Sequence, residues 1–492
     1  MPNPQNSPQA SALKASIKEV EFFVRSVRMR LPFRFGSVTL RASANLHVRL
    51  RAELADGRRA DGFAADMLAP KWFDKDPAKD HVDNIRDLIA GARHAAGAYG
   101  AAARQPAVPF EVWEAGYAAA LEFAEARSLN RLTACHGASL LERALIDAVG
   151  RASGCAYHSL LRDNLLGIDM GRIHPELRQV APADAIAPTP LQHLQVRHTV
   201  GLVDPIRKAD IAPGDRIDDG LPQALEDYVE MQGLRYYKIK VGGDVEADCA
   251  RLRAIAAVLD AYDRPYQVTL DGNEQYGHME ALVELLDRLQ GDPALTRLWD
   301  SILYIEQPLD RSLALDAAAA AQIRALSARK PMLIDESDED LQTFRRAVDL
   351  GYLGVSSKAC KGMIKALLNQ ALVRHLNRDG GAYFVSGEDL TNVPLVALHQ
   401  DLAHLAALGV THAERNGHHY VRGLDHLSAG ERRMCVESHA PLYTQIGDTH
   451  TLNVRDGGID LSSLTGEGLG GEAGMDLAAL TPLDAWDVAA LA

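Results

Sequence analysis

The segment that decides the fold is YYKIKV, residues 236–241, a strand-like run with two lysines one residue apart. Side chains alternate along a β-strand, so Lys238 and Lys240 lie on one face and Tyr237 and Ile239 on the other. Taken alone, the pattern is typical of a half-exposed strand with solvated lysines. Similar strands recur along the chain, however, and that series predicts the architecture.

Short apolar strands alternate with helical stretches from this segment to about residue 415. Their ends recur roughly every 23 to 35 residues, as expected for parallel βαβ units. An earlier strand, QVRHTVGLVD, brings the number to eight, which predicts a closed (β/α)8 barrel with its site at the C-terminal ends of the strands. A doubly wound open sheet is the alternative, but no glycine-rich nucleotide fingerprint follows the first strand.

The part of the chain before the barrel has a different pattern. Residues from about 20 to 60 alternate apolar and polar side chains, which predicts antiparallel strands. From about 80 to 165 the chain is alanine-rich with helical spacing. Strands followed by a run of helices indicate a separate α+β unit.

Composition excludes several classes of partner. The net charge of -14 is spread along the chain without a basic tract, so nucleic acid and anionic membrane are not expected partners. The five cysteines are scattered, as in reduced cytosolic proteins. With no apolar run of about 18 residues and no signal-peptide core at the N-terminus, a cytoplasmic location is expected.

Each predicted strand ends in a side chain that can take part in chemistry. Three successive ends carry Asp271, Glu306 and Asp335, which would repel one another unless a cation lay between them. Hard carboxylate oxygens are suited to Mg²⁺. Lys240, on an earlier strand, and Lys358, on a later strand, lie on either side of these three carboxylates. Because a nearby cation lowers the pKa of a lysine, such residues could act as general bases or acids.

These motifs resemble the enolase superfamily, and most closely its muconate-lactonizing subgroup with paired catalytic lysines. The resemblance rests on KIK, DGN, EQP, DES and the lysine of SSKACKG in this order, and it covers most of the chain. It implies a modified TIM barrel with an N-terminal α+β capping domain that the C-terminal tail completes. The expected segments are a disordered tail at 1–17, the capping domain at 18–185, the barrel at 186–430 and a C-terminal segment at 431–492 that packs on the capping domain.

The resemblance also implies roles for individual residues. Asp271, Glu306 and Asp335 would hold Mg²⁺, while Lys240 and Lys358 would act as bases on opposite faces of the substrate, with Lys238 supporting charge and orientation. Candidate substrate-binding residues are Glu388, Asn273, Glu414 and Trp72. Lys361 is expected to face away from the site, and the adjacent pair His418 and His419 is expected on a solvated loop.

The implied activity is abstraction of the α-proton of a small carboxylate, giving an enolate stabilised by Mg²⁺. Racemisation, epimerisation or cycloisomerisation is favoured; dehydration, as in o-succinylbenzoate synthase, is the alternative within the superfamily. Dehydration by a histidine–aspartate pair is disfavoured because YFVSGED lacks the histidine. Relatives that epimerise dipeptides often carry Asp-x-Asp beyond the eighth strand to bind the substrate ammonium. HAERNGHHY offers only Glu414 there, which counts against a dipeptide substrate. The alternative from another class is a non-catalytic descendant with a regulatory or binding role, against which the intact lysines and carboxylates argue. A homo-oligomeric state is expected.

Overall fold

A computed structural model of the chain describes residues 11–35, 38–471 and 474–488. Residues 1–10 of the expected disordered tail therefore lie outside the described residues. The first strand begins at Ala15, where apolar residues begin to alternate with polar ones.

The N-terminal unit consists of an antiparallel sheet covered by helices. The N-terminal strands are β1 (Ala15–Phe35), β2 (Val38–Leu54) and β3 (Arg59–Met67). A C-terminal strand, β15 (Thr481–Pro482), adds to the edge of the sheet, which has the order β15-β1-β2-β3. The helices are α1 (His81–Ala102), α2 (Pro109–Ala126), α3 (Arg131–Ser153) and α4 (Tyr157–Arg162).

The second unit is a closed barrel of eight parallel strands, as the sequence predicts. The strands follow one another in chain order, and pairing between the last and the first closes the ring. They are β4 (His193–Val200), β5 (Tyr236–Lys240), β6 (Gln267–Asp271), β7 (Ile302–Glu306), β8 (Met332–Ile334), β9 (Gly354–Ser357), β10 (Phe384–Gly387) and β11 (His412–Arg415).

Helices precede the first barrel strand, lie between successive strands and surround the ring. They are α5 (Pro182–Ala185), α6 (Leu225–Gln232), α7 (Val245–Leu259), α8 (Met279–Gly291), α9 (Thr296–Asp300), α10 (Arg311–Ala314), α11 (Ala320–Ser327), α12 (Thr343–Leu350), α13 (Met363–Asn377) and α14 (Val396–Leu408). Among the described residues, no helix combines the length and apolar character needed to cross a membrane.

The C-terminal part contacts both units. It contains α15 (Gly417–Tyr420), α16 (Ala429–Ser438), β12 (Tyr443–Ile446), β13 (Thr449–Leu452), β14 (Gly458–Asp460) and β15 (Thr481–Pro482). Strand β14 pairs with β4 of the barrel, whereas β15 pairs with β1 of the N-terminal sheet. The backbone of Leu469 also donates to Asp147 on α3 (2.8 Å).

Helix α3 joins the two units, and its close approach to β3 depends on one glycine. A Cβ atom at Gly62 would lie 2.1 Å from the carbonyl oxygen of Ala144 and 2.3 Å from the backbone nitrogen of Ala148. Neither backbone atom can move without shifting the helix. The absence of a side chain at this position therefore sets the distance between the sheet and α3.

We expect Gly62→Ala to lower the free energy of unfolding by about 1–3 kcal/mol, since it forces an overpacked contact. The measurement is urea denaturation followed by circular dichroism. Gly97→Ala in α1 is the matched control: a Cβ there meets no atom within 4 Å, and alanine favours the helix by up to about 1 kcal/mol. Equal stability of the two variants would contradict the assigned contact.

Candidate active site

The barrel mouth carries the predicted strand-end residues, and Lys238 lies buried at its centre. Its Nζ donates to Glu306 Oε1 (2.8 Å), Glu388 Oε2 (2.7 Å) and Glu414 Oε2 (2.9 Å), and lies 2.9 Å from Asp271 Oδ2. Burial acts to lower the pKa of Lys238, but these carboxylates outweigh it and raise the pKa well above its usual value. Lys238 is therefore a permanent cation that ties four strand ends together.

Lys240 lies on the same face of β5, as the alternation predicts, but nearer the opening. It forms an ion pair with Asp271 Oδ2 and remains 6% exposed, whereas Lys238 is fully enclosed. Burial opposes ionisation of Asp271, but Lys238 and Lys240 together lower its pKa. The two lysines of KIK thus share one carboxylate and differ in their access to the space above the barrel.

Lys358 follows β9 and pairs with Asp335, which follows β8. Its Nζ donates to Asp335 Oδ2 (2.6 Å), and Ser356 Oγ donates to Asp335 Oδ1. Burial acts to lower the pKa of Lys358, but the Asp335 carboxylate raises it well above the usual range. In this arrangement Lys358 is an ammonium group that holds its proton tightly. The lowered pKa expected for a lysine beside a divalent cation stays a prediction.

Lys240 and Lys358 both reach one small space between the units, here called the mouth pocket. The N-terminal unit contributes Phe33, Met67 and Trp72 to it, and the barrel contributes Lys240, Lys358 and Glu414. Its volume is about 20 Å³, on the scale of a single water. A substrate therefore enters only when the covering segments move.

Trp72 covers the mouth pocket from the loop that follows β3. Its ring lies over Lys358, with Nζ 4.3 Å from the ring centroid, which is a cation–π contact. The loop is fastened to the barrel by Arg311, which donates to the carbonyl oxygens of Phe73 (3.0 Å) and Trp72 (3.3 Å) while paired with Glu274. Lys75 also donates to the carbonyl oxygen of Asn273 (2.7 Å).

The backbone around the mouth is strained at four positions. The left-handed φ values belong to residues that follow β6, β7 and β10, where side chains other than glycine are disfavoured. They are 41° at Asn273, 68° at Glu274, 33° at Gln307 and 55° at Thr391. Such strain is concentrated at functional sites in proteins, which supports the assignment of this end of the barrel as the site.

The donor set at the mouth fits a hard divalent cation in its chemistry. Asp271, Glu306 and Asp335 supply buried carboxylates from neighbouring strand ends. Glu306 Oε2 lies 2.8 Å from Lys238 Nζ without a directed hydrogen bond. Burial and the neighbouring Asp271 carboxylate raise the pKa of Glu306 well above its usual value, so additional positive charge would be favourable there. In the part of the chain that is described, the ammonium of Lys238 lies among these groups and no three of them form a ready metal site.

The other predicted residues either line the mouth pocket or lie below it. The buried charges below the pocket, Lys238, Arg197 and Glu388, are here called the barrel floor. Asn273, Glu414 and Trp72 line the pocket. Asn273 Nδ2 also donates to Glu336 (3.0 Å), and Glu414 accepts from Thr199 (2.7 Å). Glu388 lies deeper, where it pairs with Lys238 and Arg197 and is not among the residues that line the pocket.

Two expectations about neighbouring residues are wrong. Lys361 does not face away: it is buried and its Nζ lies 3.3 Å from Asp335 Oδ1 and 3.2 Å from Asp338 Oδ2. His418 and His419 are not on a solvated loop. The Nδ1 atom of His419 bonds the Tyr228 hydroxyl (2.6 Å), and both imidazoles pack against His198. Burial lowers the pKa of His418 to about 3, so this ring is neutral.

Sequence reasoning missed the ionised floor of the barrel. Arg197 on β4 is fully buried and pairs with Glu388, and it also donates to the carbonyl oxygen of Gly387 (2.8 Å). A signal for it was present, because alternation in QVRHTV places Arg197 and Thr199 on one face of the strand. That face is the barrel interior.

Comparison with known proteins agrees with this geometry. Residues 220–374 match the family model described as "Enolase C-terminal domain-like". No curated protein matches the chain in sequence. A solved dipeptide epimerase from Enterococcus faecalis V583, complexed with Mg and the dipeptide L-Leu-L-Tyr, is similar at 16% identity and a TM-score of 0.59, over 92% of this chain and 99% of the other.

Two further solved structures are similar over nearly their whole length. A muconate lactonizing enzyme from Pseudomonas fluorescens, complexed with muconolactone, has 16% identity and a TM-score of 0.56 over 94% of this chain and 98% of the other. An enolase from Bradyrhizobium, complexed with magnesium and mandelic acid, has 14% identity and a TM-score of 0.58 over 95% of this chain and 97% of the other. At these identities the likeness shows the fold. Residues 220–374 are therefore similar in sequence to the enolase C-terminal domain-like family, and the chain as a whole shares its fold with these solved structures, as its motifs predict.

Proposed function

We propose that the protein is an Mg²⁺-dependent enzyme that abstracts the α-proton of a small carboxylate and carries out racemisation, epimerisation or cycloisomerisation. The observation that carries the proposal is the placement of Lys240 and Lys358 in one pocket. Lys240 is the last residue of β5 and Lys358 follows β9. These are the second and sixth of eight strands and so lie on opposite sides of the ring. Two lysines placed this way can reach both faces of one substrate carbon.

In the proposed reaction one lysine removes the α-proton and the other delivers a proton to the opposite face. Lys358 carries a proton in its ion pair with Asp335 and lines the same pocket as Lys240. The removed proton stays on the first lysine as its ammonium, so the charges balance. General acid–base groups positioned in this way accelerate proton transfer by about 10²–10⁴-fold.

The proposed metal ligands are Asp271, Glu306 and Asp335. Bound there, Mg²⁺ would supply positive charge to offset the negative charge that develops on the substrate carboxylate as the proton leaves. Lys238 would contribute a second, fixed positive charge below the proposed metal site. Trp72 and the segment that carries it would exclude water once the substrate is bound.

Solvent exchange tests the proposal most directly. The full-length protein is incubated in D₂O with a panel of N-acylamino acids, dipeptides, lactones and hydroxy acids, and deuterium at the α-carbon is followed by NMR. We expect exchange with at least one substrate in MgCl₂, loss of exchange in excess EDTA and recovery on adding Mg²⁺. Product analysis then separates an isomer from a dehydrated alkene. Exchange that persists in EDTA would contradict the metal requirement, and no exchange across the panel would favour a non-catalytic descendant.

A further inference from the structure

A cavity of about 420 Å³ lies at the end of the barrel opposite the mouth pocket. We call it the lower cavity and define it by Leu303, Tyr304, Gln370, Phe384, Val410 and His412. Four of these residues stand at or before the N-terminal ends of β7, β10 and β11. The proposed reaction does not use this end, and the volume is within the range of about 300–1,000 Å³ that is typical of small-molecule sites.

The walls of the lower cavity are aromatic and aliphatic. Tyr304 and Phe384 pack with their ring centroids 5.0 Å apart and their planes tilted by 34°. His412 stacks on Tyr236 at 4.7 Å, so its ring is held in one orientation. Flat, fixed surfaces of this kind are complementary to a planar ring.

The lower cavity also offers hydrogen-bonding groups that the protein does not use. Arg197 can only donate, so its 2.9 Å hydrogen bond makes His412 Nδ1 the acceptor and places the ring proton on Nε2. Among the described residues, no group accepts from His412 Nε2, and the Gln370 amide has no hydrogen-bond partner. A ligand acceptor would satisfy either group.

Within the described part of the chain, no Asp, Glu, Lys or Arg side chain lines the cavity. The nearby Arg197 and Glu388 neutralise each other in a fully buried pair. A charged ligand would therefore lose its hydration without gaining a counter-ion. An uncharged ring loses little hydration free energy when it enters the cavity.

From this combination we propose that the lower cavity binds a small, planar, uncharged aromatic molecule that carries a hydrogen-bond acceptor. The ring would lie against Tyr304 and Phe384, and the acceptor would receive a proton from His412 or Gln370. This site is separate from the mouth pocket and does not depend on the proposed reaction. Tyr304 also connects it to the floor, because its hydroxyl donates to Glu388 (3.1 Å), which accepts from Lys238.

Three molecules of nearly equal size test the proposal: benzamide, benzoate and benzylamine. Binding to the full-length protein at pH 7 is measured by calorimetry and by saturation-transfer NMR. We expect benzamide to bind at least tenfold more tightly than the benzoate anion or the benzylammonium cation. Equal binding of a charged analogue, or no binding of benzamide at millimolar concentration, would overturn the proposal.

A variant then locates the site. Val410→Trp fills the cavity and should weaken benzamide binding at least tenfold, whereas Val203→Trp, at a position that is 48% exposed elsewhere, should not change it. A crystal of the unsubstituted protein soaked in benzamide provides a test that does not depend on the folding of the variant. Density for benzamide against Tyr304 and Phe384 in the lower cavity supports the site, and density only in the mouth pocket overturns it.

Discussion

Lys240→Ala and Lys358→Ala are each expected to lower turnover by about 10²–10⁴-fold, the usual contribution of a general acid or base. The reason is positional, since each ammonium or amine serves one face of the substrate carbon and no other lysine lines the mouth pocket among the described residues. If the reaction is a racemisation, the losses will be unequal for the two enantiomers. One variant should still exchange the α-proton of one enantiomer with solvent, and the other variant that of its mirror image. The measurement is deuterium exchange on each pure enantiomer.

Lys208→Ala is the control for this experiment, because Lys208 is 53% exposed and pairs only with surface carboxylates. Its turnover should match that of the unsubstituted protein. Circular dichroism spectra of all three variants check that the fold is retained. Full activity of Lys358→Ala would contradict the two-lysine assignment, since Asp335 would then have lost its closest cation without consequence.

The sequence predicted the fold and the convergence of the strand ends because both follow from simple periodicities. Alternation placed Lys238 and Lys240 on one face of a strand, and the regular return of strands predicted a ring whose ends meet. Neither argument contains a distance. The periodicities alone therefore do not predict that Lys238 lies among four carboxylates while Lys240, two residues later, reaches the pocket. The different roles of the two lysines came from the resemblance.

The error at Lys361 has a local physical cause. Residues 359–361 form a 3₁₀ turn in which the backbone nitrogen of Lys361 donates to the carbonyl oxygen of Lys358 (2.9 Å). With three residues per turn, side chains three positions apart lie on the same side. Lys358 and Lys361 therefore both reach Asp335. The burial of His418 and His419 likewise depends on Tyr228, a residue distant in sequence.

The buried ion cluster at the floor leads to the largest expected effect on stability. Lys238→Met keeps the length of the side chain and removes its charge, leaving Asp271, Glu306, Glu388 and Glu414 without their shared cation. Removing one partner from a buried ion pair costs about 3–5 kcal/mol, because the remaining charge is uncompensated. We expect Lys238→Met to lose at least this much free energy of unfolding. Urea denaturation in EDTA measures the loss without divalent cations on the carboxylates.

A double variant separates the loss of the charge network from a simple packing defect. Glu388→Gln removes one of the carboxylates that Lys238 neutralises, while Arg197 remains beside it. If uncompensated charge causes the instability, Lys238→Met/Glu388→Gln should be more stable than the sum of the single effects by about 0.5–3 kcal/mol, the usual size of coupling between contacting residues. Strict additivity would mean that the two side chains do not interact energetically. Lys208→Met, at the exposed surface, should change stability by less than about 0.5 kcal/mol. Coupling in the absence of metal would show that Lys238 is the structural cation of the barrel floor, whatever the mouth pocket binds.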